Sequence, residues 1–134
     1  MRRRLIAPAI AVLAAGCGFD VSSPDLFLLT RTGQGRPLTL LLNDGGTIRC
    51  DGGPARKLSD PLLLRARDLA TRLDADARRG LRIPAPPNSA FRYTLKLQDG
   101  TIVFPDTAAR SRPELAQAEL FAVQAAQQVC GLPG

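Results

Sequence analysis

Two stretches, LTLLLNDGGTI (residues 38–48) and YTLKLQDGTI (residues 93–102), restrict the fold of this chain more than any other feature. In each, a run of β-favouring residues breaks at an Asp-Gly or Gly-Gly step and resumes with Thr-Ile. Those steps accept the positive φ values that tight hairpin turns need, so each stretch predicts an antiparallel hairpin. In the second, Phe91, Tyr93, Leu95 and Leu97 alternate with Arg92, Thr94, Lys96 and Gln98. That period of two means one buried face and one wet face. Residues 102–104 return and Pro105 ends the strand. Ahead of the first hairpin, residues 26–32 predict a leading strand and TGQGRP a turn. Residues 47–50 return, and DGGPAR closes the meander.

A helix is predicted after each hairpin. In SDPLLLRARDLATRLDADARRG, Ser59 or Asp60 caps the start and Pro61 sits in the first turn, where a missing N–H costs nothing. Leu62, Ala66, Leu69, Leu73 and Ala77 recur at three- and four-residue spacing and form one apolar stripe. Arg65, Asp68, Arg72 and Asp76 are assigned to the solvated side, and Gly80 to the left-handed position that ends the helix. In SRPELAQAELFAVQAAQQVCG, Ser111 and Glu114 have capping-box spacing, and Gly131 is the stop. Leu115, Ala118, Phe121, Ala122, Ala125 and Val129 supply the apolar face, and the alanines suit close packing on a sheet. The expected fold is α+β: β-β-β-α-β-β-α, an antiparallel sheet of about five strands with two helices on one face.

The first seventeen residues, MRRRLIAPAIAVLAAGC, follow a different logic. Arg2, Arg3 and Arg4 precede an apolar run over residues 5–15, and small residues then lead to Cys17. This is the layout of a secretory signal peptide. The run is shorter than the roughly 20 residues a membrane-crossing helix needs. Ala14, Ala15 and Gly16 before Cys17 resemble the lipobox of bacterial lipoproteins, although Ala14 stands where that family prefers leucine. The resemblance implies a diacylglyceryl group on the Cys17 thiol and cleavage just before it. It also implies a bacterial cell-membrane location on the extracytoplasmic face. The expected organisation is a removed signal peptide (1–16), a lipidated N-terminus with a short tether (17–24) and one α+β domain (25–134).

With Cys17 taken by lipid, Cys50 and Cys130 remain as an even pair in an oxidising compartment, where a disulfide is expected. An 80-residue loop closed this way stabilises by at most about 4–5 kcal/mol. The competing reading, a reactive thiol, wants an activating histidine or a helix N-terminus. The chain has no histidine, and Cys130 follows the second helix.

Charge and composition narrow the function classes. The full chain carries +6, but without Arg2, Arg3 and Arg4 there are 15 basic residues against 12 acidic, a net of +3. That is too little to argue for nucleic acid. Absence of histidine excludes a Ser-His-Asp triad and the usual zinc sites. NDGGTIRCDGG has neither the spaced acids of an EF-hand nor the GK[ST] of a P-loop, and reads as a turn. No catalytic residue, metal site or cofactor is predicted. Two exposed stretches remain. Residues 101–114 gather Asp106, Thr107, Arg110, Ser111 and Arg112, which read as helix-entry chemistry. RIPAPPNSAF contains a Pro-rich loop at residues 82–90. The order of elements, with LFLLT near the start, resembles the subtilisin-inhibitor-like family, whose reactive loop follows the helix. That implies protease inhibition through residues 82–90, although no cysteine between 51 and 129 can brace the loop as in that family. The leading expectation is a membrane-anchored binding or envelope-support module without catalysis, with a possible protein partner at the envelope.

Overall fold

The computed structural model describes Val21 and residues 24–133. Strand β1 (Asp25–Gly33) is followed by β2 (Leu38–Asn43), β3 (Thr47–Cys50), β4 (Ala55–Lys57) and helix α1 (Asp60–Arg78). Then come β5 (Phe91–Leu97), β6 (Gly100–Pro105), a 3₁₀ turn (Asp106–Arg110) and helix α2 (Pro113–Gln128). The strands form one antiparallel sheet in the order β4-β3-β2-β1-β5-β6. The α+β class is as the sequence predicts, with six strands in place of about five. The extra strand, β4, lies in the segment read as the end of the meander. Its three residues are all exposed and carry no alternation, so nothing in the pattern separates it from a turn. A short charged edge strand of this kind also discourages pairing with another chain.

β1 joins the two predicted hairpins. On one side Leu29 pairs with Leu40, and on the other with Leu95. Phe27, Leu29, Leu40, Leu42, Ile48, Leu95, Ile102 and Phe104 therefore share one face of the sheet, and all are fully buried. Both helices cover that face. Leu62, Ala66, Leu69, Leu73 and Ala77 of α1 are buried, as the predicted stripe requires, and so are Leu115, Ala118, Phe121, Ala122 and Ala125 of α2. Phe27 meets Phe121 edge to face, with ring centroids 5.8 Å apart.

Ser59 is the cap of α1, its hydroxyl accepting from Leu62 N–H at 3.4 Å. At the other end, Gly80 has φ 63. Its N–H reaches the Ala77 carbonyl, while Leu81 N–H reaches that of Asp76, closing a Schellman motif. Gly100 has a different role from the turn freedom its sequence context suggests. A Cβ there would lie 1.9 Å from the Ala77 carbonyl oxygen. The β5–β6 turn is thus seated directly on the end of α1.

Two local expectations are corrected. Asp76 is buried, not solvated: it pairs with Arg79 and lies 3.9 Å from Arg112. The Ser111–Glu114 capping box does not form. Arg112 precedes Pro113 and is held extended (φ −133, ψ 101), so the helix starts later with Arg112 at the cap position. The Ser111 hydroxyl turns back to the Ala108 carbonyl instead. Val129, placed on the apolar face by the sequence, is the C-cap of α2 and packs half-buried against the core.

Candidate functional site

Cys17, the residue expected to carry lipid, lies outside the described residues, as do most of residues 1–24. Cys50 and Cys130 are bonded, with Cα atoms 5.9 Å apart. The bond ties the end of β3 to the turn after α2. There the helix widens: Cys130 N–H reaches the Ala125 carbonyl five residues back, and Leu132 N–H reaches that of Ala126. Arg56 on β4 donates to the Val129 carbonyl at 3.1 Å. Together these contacts hold Leu132 and Pro133 against one end of the sheet.

A cavity of about 440 Å³ opens at that end. Arg31, Leu38 and Phe91 line it from the strands, and residues 34–37 from the β1–β2 connection. Asp51 lines it from the turn after β3, and Leu132 and Pro133 from the C-terminal segment. The lining is mostly apolar with a few polar groups, the usual make-up of a small-molecule site, and the volume is within the usual range. Asp51, at φ 51, opens the Asp51-Gly52 turn between β3 and β4, which Gly53 N–H closes on the Cys50 carbonyl at 2.9 Å. Its carboxylate accepts from Thr39 N–H at 2.8 Å.

Arg31 is the unusual member. Phe27, Leu29 and Arg31 fall on the same face of β1, so the guanidinium sits where the pattern calls for an apolar residue. It is 9% exposed. Its charge lies 4.8 Å from the centre of the Phe91 ring, and the Tyr93 hydroxyl is within hydrogen-bonding reach. Among the described residues no carboxylate forms an ion pair with it, although buried charges are ordinarily paired. The sequence contained this signal: in LFLLTRTG, counting by two from Phe27 lands on an arginine.

Two half-buried acids, Glu119 and Asp106, act on Tyr93 beside Arg31. Burial pushes the Glu119 carboxyl up to about 7, and Asp106 nearby adds to the effect. Its Oε1 is buried without a hydrogen-bond partner. The Tyr93 hydroxyl is raised by burial and then by Glu119, while Arg31 works the other way. Tyr93 stacks on Phe104 at 5.2 Å.

The exposed stretches are placed as follows. Asp106 accepts from Ala90 N–H at 3.1 Å, so it braces the end of the Pro-rich loop rather than joining Arg110 in a polar site. The two form no ion pair among the described residues. The loop itself starts on the sheet edge, where Ile83 N–H donates to the Val103 carbonyl at 2.9 Å. Residues 84–88 are exposed, and the Ser89 hydroxyl donates to the Pro86 carbonyl at 2.7 Å.

The side of the sheet away from the helices carries Thr30, Thr39, Thr94 and Thr101 with Arg49, Arg92 and Lys96, as the register requires. At the opposite end from Arg31, an open cavity of about 520 Å³ is lined by Asp25, Asp44, Asp74, Asp99 and Arg67. Among the described residues no group of acids or cysteines could hold a metal ion, and no helix is long and apolar enough to cross a membrane. Comparison with protein-family models, curated proteins and solved structures finds no match for this chain.

Proposed function

We propose that the chain is an exported lipoprotein, anchored through Cys17 on the extracytoplasmic face of a bacterial membrane, whose domain binds a partner or ligand and carries out no catalysis. The observation that supports this reading is the Cys50–Cys130 bond. It uses two of three cysteines and leaves Cys17, behind its arginines and apolar run, as the odd one. Two or three acyl chains on that thiol and its amino group hold a protein firmly, because each buried CH₂ contributes about 0.8 kcal/mol. The seven residues 18–24 could reach at most about 25 Å even at full extension, which would keep the domain near the bilayer surface.

The test is the intact mass of the protein from its native membrane fraction, before and after reduction. The reading expects an N-terminus at Cys17 carrying acyl mass, and a gain of about 2 Da as the disulfide opens. A soluble, unacylated species with free thiols would overturn it.

A second reading, protease inhibition through residues 82–90, is favoured by one observation. The exposed loop is braced at both ends, by Ile83 on β6 and by Asp106 at Ala90. A protease that this domain inhibits would cut slowly and at a single bond within residues 82–90. Rapid cleavage there, or none by any protease it inhibits, removes this reading.

A further inference from the structure

We propose that the cavity beside the disulfide binds a small amphiphilic anion, its oxyanion held by Arg31 and its apolar body by Phe91, Leu38 and Pro133. This assignment is independent of the membrane anchor. It rests on three features that meet in one place.

The first is charge. Arg31 is nine-tenths buried, lines the cavity and has no carboxylate ion pair among the described residues. A guanidinium presents five N–H donors in a fixed fork suited to two oxygens of one oxyanion. The Phe91 ring covers one face of that fork, and Arg31 lines the cavity. Exposed Arg36 on the rim adds a second cation. The carboxylate that lines the cavity, Asp51, is engaged by Thr39 N–H.

The second is shape. Phe91, Leu38, Pro37, Leu132 and Pro133 make the remaining wall largely apolar. A bare inorganic anion would leave that wall wet, whereas an aromatic or short aliphatic body would cover it. The third is rigidity. The disulfide, the Arg56 contact to Val129 and the hydrogen bond from Thr39 N–H to the Asp51 carboxylate all fix the rim.

The oxyanion can be a carboxylate or a phosphate monoester, and the probes separate the two. Calorimetric titration of the full chain would use benzoate, phenyl phosphate, neutral benzamide, benzylammonium, acetate and inorganic phosphate. The expected result is saturable binding of benzoate, phenyl phosphate or both. Benzamide, benzylammonium and the two bare anions should each bind at least about tenfold more weakly. Whichever aromatic anion binds more tightly names the head group. Arg31→Gln should lose about tenfold, Arg31→Lys should recover part of it, and Phe91→Leu should weaken the aromatic anions without restoring benzamide. Should Arg31→Gln fail to fold, the ratio of benzoate or phenyl phosphate to benzamide on the unaltered chain gives the answer alone. Equal binding of benzamide, equal binding of acetate or phosphate, or no saturable heat with any anion at about 10 mM overturns the proposal.

Discussion

The two ends of the sheet handle charge in opposite ways. At the acidic end, Arg67 meets Asp44 at 2.7 Å, and both side chains are about half exposed (47% and 51%). Arg67 also donates to the Asp44 carbonyl at 2.8 Å, and Arg78 bridges Asp74 and Asp99. Arg67 and Arg78 each have an acid, and both partners have water. At the other end, Arg31 is buried against Phe91 without an ion pair, and Glu119 keeps a buried oxygen unpartnered. Exposed pairs contribute roughly 0–1 kcal/mol, so the acidic end is solvated surface that costs little and does little. A buried unpaired charge works against folding. Its persistence at a cavity, under a disulfide-held rim, is what marks the Arg31 end for binding.

If that contrast is real, the Arg31 end depends on the disulfide. Cys50→Ala with Cys130→Ala should lower stability by about 2–4 kcal/mol, since the bond closes an 80-residue separation. Heat-unfolding midpoints of the two forms measure it. The same change should release Leu132 and Pro133, seen as faster amide exchange there, while the amides around Asp44 and Asp99 exchange as before. Equal loosening at both ends would break the comparison.

The acidic end has a steric dependence in its place. Gly100 faces the Ala77 carbonyl so closely that any Cβ must displace backbone. Gly100→Ala should cost about 2–3 kcal/mol, the upper part of the range for forced overpacking, read from the urea midpoint. Its effect on exchange should centre on the end of α1 and spare Arg31. A neutral outcome would mean that the turn and helix separate easily.

Much of this architecture was legible because it rests on local patterns. Alternation in FRYTLKL, the Asp-Gly steps and the 3–4 spacing of Leu62, Ala66, Leu69 and Leu73 each encode a buried face within a few residues. What was not legible depends on partners far along the chain. Asp76 looks like a surface acid until Arg112 and Arg79 enclose it. Ser111 and Glu114 have the spacing of a cap, but the conformation of Arg112 before Pro113 overrides it. Gly100 reads as a turn glycine, and only packing against Ala77 reveals the other constraint. Arg31 could be counted onto the apolar face from the sequence. Its significance needed Phe91, Tyr93 and the disulfide-held segment, drawn from two stretches distant from it. The disulfide pairing itself followed from setting Cys17 aside.

Protonation sharpens the contrast further. Glu119 titrates near 7 in the folded protein against an ordinary 4.5. Its carboxyl binds protons more tightly folded than unfolded, so the folded state gains from it at low pH. That gain is complete below about 4.5 and is lost as pH rises through about 7. The side chain is partly solvated, which reduces the full linkage value to about 1 kcal/mol. The unaltered chain should therefore unfold at lower urea at pH 8 than at pH 5 on this account, and Glu119→Gln should remove that difference. A variant with the same pH slope as the parent would mean that the carboxyl is solvated.

The smallest expected effect is at Arg67, and its smallness carries the argument. Arg67→Ala removes the shortest ion pair of the acidic end together with a contact to the Asp44 carbonyl. It leaves Asp44 in water, not in a low-dielectric interior, so no buried charge is stranded. The change should cost about 0.5 kcal/mol at low salt and less at about 0.5 M salt, where exposed charges are screened. Urea midpoints at the two salt concentrations measure it. A cost above about 2 kcal/mol, or one that salt does not reduce, would mean that the acidic end is as structured as the Arg31 end. Pairing and exposure would then no longer separate a solvated surface from a site built to receive an anion.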